Sequence, residues 1–324
     1  MVIVTGGAGF IGSAIVWKLN QTGRTDIIIV DELGEGEKWK NLNGLKYSDV
    51  FHKADFLDMV IDNEVPFKVE SIIHMGACSS TTEKDADYLL HNNYAYTVEL
   101  AKYALERDIR FIYASSAATY GGGEKGYYDN ENDLENLRPL NMYGYSKQMF
   151  DLWAKQNKVL DRIVGLKFFN VYGPNEFHKG DMRSVVHKAF EQVRDTGKVK
   201  LFKSTDKQYG DGGQMRDFVY MKDAVDMSLY FFENSSVNGL FNIGTGNART
   251  WNDLVTAVFN AVGKPVNIEY IDMPSHLIGK YQNFTEANMV KIKDSGYTKE
   301  ITSLENGVED YVKNYLLKNE YLAW

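Results

Sequence analysis

The chain has 324 residues, of which 44% are apolar, 13% aromatic and 25% charged, a composition that excludes collagen-like and disordered chains and suffices for about two domains. With 36 basic against 44 acidic residues the formal charge is −8, so the chain lacks the basic footprint of a nucleic-acid binder, and an anionic ligand must be met by local positive groups. A single cysteine, Cys78, excludes a disulfide framework and a multi-cysteine zinc site, and the longest strongly apolar run, Ile27 to Val30, is too short for a membrane span.

Met1 to Thr5 reads as the first strand. No Lys or Arg occurs in the first ten residues, and their glycines interrupt any signal-peptide core, so a cytoplasmic protein is expected. The strand runs into Thr5-Gly6-Gly7-Ala8-Gly9-Phe10-Ile11-Gly12, and Ile11, Ile15 and Leu19 then recur at helical spacing. Glycine at 6, 9 and 12 allows a tight turn, close approach of backbone to a pyrophosphate and close packing of helix on strand, while the helix start supplies amides and positive potential. A second strand, Asp26 to Val30, ends at Asp31, where a carboxylate can accept the hydroxyls of an adenosine ribose. Together these elements predict a dinucleotide site. Asp31, Glu32, Glu35 and Glu37 disfavour a 2′-phosphate, whereas Lys38, Lys40 or Lys53 can hold one, so charge leaves NAD and NADP open.

Val50 to Ala54, Glu70 to His74, Arg110 to Ser115 and Arg162 to Phe168 read as further strands, apolar nearly throughout, with helical patterns between them. The fold class expected is α/β: a doubly wound parallel sheet with a smaller, discontinuous substrate domain. Tyr88, Tyr94, Tyr96 and Tyr103 read as packing or interface residues of one helix. Ser115 and Ser116 end the fifth strand at the carboxyl edge, beside the crevice where such sheets bind ligands. Tyr143 and Lys147, four apart at a helix start, share one face, and the ammonium favours phenolate, which makes Tyr143 a usable base near neutral pH. After Asn170 a Gly- and Pro-containing stretch leads to a helix near Ser184 to Asp195, and Asp206 to Gln214 reads as an exposed loop. Leu240 to Ile243 reads as a strand returning to the main sheet. The expected division is therefore 1–170 with about 217–246 for the dinucleotide, and about 171–216 with 247–324 for substrate. The six histidines form no ligand pattern, and no metal is expected.

The glycine loop, the strand-end serine and the Tyr143/Lys147 pair, with Gly76-Ala77 and Asn170-Val171-Tyr172-Gly173-Pro174, resemble the extended short-chain dehydrogenase/reductase family. That resemblance makes Tyr143 the acid/base, gives Lys147 the nicotinamide ribose and the tuning of Tyr143, and gives Ser116, rather than Ser115, the reacting hydroxyl or ketone. Family members act mostly on nucleotide sugars. Its dehydratases carry an Asp-Glu pair where this chain has Ala117 and Ala118, so dehydration is disfavoured. Glu176 to Met182, Ser79 to Thr82 and Tyr281 to Thr285 are similar to the branch that epimerises an ADP-activated heptose at C6 for the lipopolysaccharide core.

By that resemblance Lys179 is a second acid/base and the cofactor is NADP, with Lys38 on its 2′-phosphate. Gly6, Gly9, Phe10, Ile11, Gly12, Asp31, Glu32, Lys53, Met75, Gly76, Ala77, Cys78, Ser79, Asn92, Lys147, Val171 and Lys179 are expected to touch the cofactor. Asn170, Asp181, Lys188, Phe202, Lys203, Ser204, Thr205, Arg216 and Tyr281 are expected to line the ADP-heptose site, with Arg216 suited to the diphosphate. Asp181 stands where a neutral Ser is usual, and Lys188, beside His187, where a His is. Ring-like homo-oligomers, homopentamers, are the assembly the family implies.

Overall fold

The computed structural model describes residues 1–274 and 282–323. Short β-branched and aromatic runs form β1 (Val2–Thr5), β2 (Ile27–Asp31), β3 (Asp49–His52), β4 (Ser71–His74), β5 (Arg110–Ser116) and β6 (Ile163–Phe168). Helix α1 (Phe10–Gln21) follows β1 and α2 (Lys53–Ile61) follows β3. After β4 comes one helix in three parts: α3 (Ala86–Leu89), a π-helical turn at Leu90–Ala95, and α4 (Tyr96–Glu106). Helix α5 (Met142–Gln156) follows β5, its start fixed by the Asn141 side chain, which accepts from the Gly144 N–H. Most strand ends shift by one residue from the sequence reading, and two at the carboxyl edge bear on the site. The third strand stops at His52, whose ring accepts from the Ala54 N–H and so starts α2 at Lys53, and the fifth runs on through Ser116.

Beyond β6 lie β7 (Asn170–Tyr172), α6 (Val185–Thr196), β8 (Val199–Phe202), β9 (Met215–Arg216), β10 (Phe218–Tyr220), α7 (Met221–Glu233) and β11 (Gly239–Ile243). The last described part adds β12 (Arg249–Thr250), α8 (Trp251–Val262), β13 (Ile268–Ile271), α9 (Val290–Asp294) and α10 (Leu304–Tyr311). Strand β11 pairs in parallel with β6, and the main sheet has seven parallel strands in the order β11-β6-β5-β4-β1-β2-β3. Strands β1 and β2 are buried along their whole length because helices cover both faces, which is why they read as continuous apolar runs. The order reverses at β1, which opens a crevice at the carboxyl edge between β1 and β4.

A second apolar core joins α6, α8 and α10 through Val186, Phe190, Leu254, Val258, Val308 and Tyr311. Ser184, Thr250 and Ser303 cap these helices, with Thr250 and Asp253 forming a reciprocal capping box. No helix among the described residues is long and apolar enough to cross a membrane.

Candidate active site

The glycine turn holds β1 and β4 close. A Cβ on Gly6, whose φ is +64°, would sit 2.6 Å from the Gly76 nitrogen, and one on Gly12 would sit 2.0 Å from the Gly6 carbonyl oxygen. Helix α1 has no side-chain cap, so its first-turn amides face the crevice unshielded. A cleft of about 460 Å³ opens there. Its walls contain every residue that the sequence assigns to the cofactor except Val171, which lines the neighbouring cleft instead. The donor set and the turn that only glycine fits suit a dinucleotide.

Acids at the far end of this cleft are paired. Asp31 Oδ2 accepts from the Ala8 N–H at 2.8 Å, while Oδ1 accepts from the Glu32 N–H and pairs with the Lys38 ammonium. Glu32 pairs with Lys53 at 2.5 Å, and Lys53 also donates to Asn92 at 3.0 Å. Lys53 holds the Glu32 carboxyl below its usual range. His178 lines the same cleft, and burial, with Lys38 and Lys179 nearby, pulls its ring down to about 4.

A second cleft of about 330 Å³ adjoins the first. Tyr143 and Lys179 line both, with Phe10, Ile11, Ser79, Phe168 and Met182 around them. Ser116 lines the second cleft, and its hydroxyl hydrogen-bonds Tyr143. Ser115 lines the first cleft but is committed below it: its hydroxyl donates to Asp151 at 2.8 Å, inside a buried group with Tyr113, Lys167 and Thr119. The Lys147 ammonium donates to the Ala114 carbonyl at 2.8 Å, and burial pulls it down to about 8 against the opposing charge of Asp151. At about 8 Lys147 is still mostly an ammonium at neutral pH. Burial pushes the Tyr143 phenol up, and the Ser116 hydrogen bond pulls it back. Lys179 sits 5.1 Å over the Phe10 ring, and burial lowers its amine against the charge of Glu176.

Among the residues assigned to substrate, Asn170 lines the second cleft. Asp181, Lys188, Phe202, Lys203, Ser204, Thr205 and Arg216 line neither cleft. Lys188 donates to the Asp181 carbonyl at 2.5 Å, and Lys203 pairs with Asp272 at 3.0 Å. The loop after β8 folds on itself, with the Ser204 N–H on Asp211 and the Ser204 hydroxyl on the Asp206 carbonyl. Arg216 is buried. Its guanidinium donates to the carbonyls of Met215 and Gln282 and lies over Trp251, which does line the second cleft. Tyr281 lies outside the described residues.

Some cleft residues escape sequence reasoning. Tyr88 and Tyr96, read as packing, line the cofactor cleft because the π turn between them shifts the helix face. Asn93 accepts from the Cys78 N–H and donates to the Cys78 carbonyl and the Ser146 hydroxyl. Glu176 and Asn41 are tied to the loop that carries Lys179, and the adjacent Asn92 and Lys179 were the nearest signals. Among the described residues no His, Cys, Asp and Glu cluster could hold a metal ion.

Residues 2–244 match the model of the NAD dependent epimerase/dehydratase family. The chain is 57% identical to an ADP-L-glycero-D-manno-heptose-6-epimerase of Nitratidesulfovibrio vulgaris, covering 98% of each chain, and 50% identical to one of Fusobacterium nucleatum, covering 99% of each. The solved ADP-L-glycero-D-manno-heptose-6-epimerase of Helicobacter pylori superposes with a TM-score of 0.80 at 29% identity, over 97% of this chain and 95% of that one. With its parallel sheet and glycine-lined crevice, the chain belongs to the NAD dependent epimerase/dehydratase family.

Proposed function

We propose that the protein epimerises C6 of an ADP-activated heptose, interconverting ADP-D-glycero-D-manno-heptose and ADP-L-glycero-D-manno-heptose. The observation that carries this reading is that two acid/base side chains, Tyr143 and Lys179, stand on the wall common to both clefts. The name shared by relatives at 50% and 57% identity supplies the substrate. Bound nicotinamide supplies a hydride acceptor and donor, so the reacting carbon passes through a 6-ketone with no net redox change. Tyr143 takes the hydroxyl proton of one epimer, with Ser116 orienting that oxygen. Lys179 does the same for the other epimer, whose oxygen lies on the opposite side after the exocyclic carbon rotates. Lys147 holds the nicotinamide ribose. NADP is the cofactor of this reading, as the family resemblance implies; the pairing of Lys38 with Asp31 and of Lys53 with Glu32 lessens the repulsion that the bare sequence implies.

The same reading makes 1–170 with about 217–246 the cofactor domain and about 171–216 with 247–324 the substrate domain, in a cytoplasmic homo-oligomer of about five subunits. Its test is to incubate purified protein with each pure ADP-heptose epimer and resolve the two. Conversion of either into a mixture is the expected result; an unchanged ADP-heptose beside an epimerised nucleotide hexose would refute the reading.

A further inference from the structure

Lys179 lies in a loop whose two ends are closed by one buried carboxylate. Glu176, fully buried, accepts from the Ser184 N–H and from the Ser184 hydroxyl, both at 2.6 Å, and from the Tyr311 hydroxyl on α10. The Ser184 hydroxyl also accepts from the His187 N–H and caps α6, so this clasp is anchored to a helix of the second core. Inside the loop, the Lys179 N–H donates to the Glu176 carbonyl at 3.0 Å, Gly180 turns the chain at a φ of +53°, and Arg183 donates to the Gly180 carbonyl at 2.8 Å. The next side chain, His178, meets Asn41 at 3.1 Å, and Asn41 also donates to the Ala8 carbonyl of the glycine turn. The loop is thus held from the substrate side by Glu176 and from the cofactor side by Asn41.

We propose that Glu176 is the positioning residue of Lys179: by clasping Ser184 and Tyr311 its carboxylate fixes where the amine stands on the wall shared by the two clefts. The inference rests on the two-base reading above. Glu176 touches neither cleft and moves no proton; its charge faces the ammonium and opposes the cost of burying it. Of the three donors on the carboxylate one is an N–H and two are hydroxyls, so Glu176→Gln, at unchanged size, removes the charge and replaces at least one hydroxyl-to-carboxylate bond by a weaker neutral one, which loosens the clasp.

The test compares the rate at which each pure C6 epimer reduces the bound cofactor in a single turnover, followed by the ultraviolet absorbance of reduced nicotinamide. In Glu176→Gln the epimer whose hydroxyl meets Tyr143 should be oxidised at close to the parent rate, and the opposite epimer about tenfold or more slower. Equal loss for both epimers, or loss for neither, overturns the proposal. Lys179→Met separates the two readings. If it shows the asymmetry and Glu176→Gln does not, Glu176 is not the positioning residue; if Lys179→Met lacks the asymmetry, the two-base reading itself fails. Ser184→Ala, which removes one donor and leaves the carboxylate, should give a smaller asymmetry of the same sign and carries the test if Glu176→Gln does not fold.

Discussion

The strand-end serines show how one residue position decides a role. Both hydroxyls stand at the carboxyl edge, but Ser115 donates into the buried Asp151 carboxylate, which also accepts from Tyr113 and Lys167, while Ser116 is on the Tyr143 side. Ser115→Ala should therefore act on stability, by about 1.5–3 kcal/mol for a lost hydrogen bond to a charged group, and leave turnover nearly intact. Ser116→Ala should lower turnover with little change in melting temperature, and Tyr143→Phe should lower it by roughly 10²- to 10⁴-fold, the usual worth of a general acid/base. Thermal melting and initial rates on the same three proteins check this. An inactive but fully stable Ser115→Ala would reverse the assignment of the two serines. The sequence alone ranked Ser116 over Ser115 only by resemblance, since the partner that removes Ser115, Asp151, is a helix residue with no local signal of its own.

Among the elements, the strands were the most legible part of the sequence, because a sheet covered on both faces demands unbroken apolar runs such as Ile27 to Val30. The glycine turn was equally plain, since Gly12 has a fixed steric reason to lack a side chain. The π turn at Leu90–Ala95 was not legible. Its composition is ordinary for a helix, and only the fold reveals that Asn93, 1% exposed, spans Cys78 of one wall and Ser146 of α5. Ser146 in turn donates to the Tyr143 carbonyl at 2.7 Å, so the π turn couples the Cys78 wall of the cleft to the helix that carries Tyr143. Asn93→Ala leaves the Cys78 N–H without its partner, at about 1–3 kcal/mol for an unsatisfied buried group. The expected outcome is weaker cofactor binding by about tenfold with lower turnover, measured by fluorescence titration with reduced cofactor. Unchanged affinity would mean that the Cys78 wall is held without Asn93. The substrate side was the least legible: Lys188, Lys203 and Arg216 carry the charge expected at a diphosphate, yet each is engaged by a carboxylate or carbonyl that sequence spacing does not place beside it.

At the scale of the whole molecule, three histidines couple the fold to pH. His74 is 1% exposed between Tyr96 and Phe111, His187 is 3% exposed against Tyr311, and His178 is half-buried in the cofactor cleft. Their hydrogen bonds suit neutral rings. The Arg183 guanidinium and the Asn41 amide, both donors, point at ring nitrogens of His187 and His178. Thr97 donates its hydroxyl to the Asn93 carbonyl and so accepts from His74 Nε2, which leaves Nδ1 to accept from Thr5. Burial pulls His74 down to about 3 and the other two to about 4, from an ordinary 6.5. With the folded values depressed, the unfolded chain binds more protons below pH 6.5, so stability is fully present above 6.5 and is lost as pH falls toward 4 and 3. For His74 alone the loss by pH 5 is about 2 kcal/mol, at roughly 1.4 kcal/mol for each pH step. The buried acids Asp129, Glu176, Asp217 and Asp223, pushed up by burial, work in the opposite sense between their raised folded values and the ordinary 3.8 to 4.5, and so offset part of the histidine loss. Melting followed by calorimetry should therefore drop by several degrees between pH 7 and pH 5, while the formal charge moves closer to zero. A melting temperature that holds or rises over that interval would overturn the view that these three neutral rings dominate the response of the fold to acid.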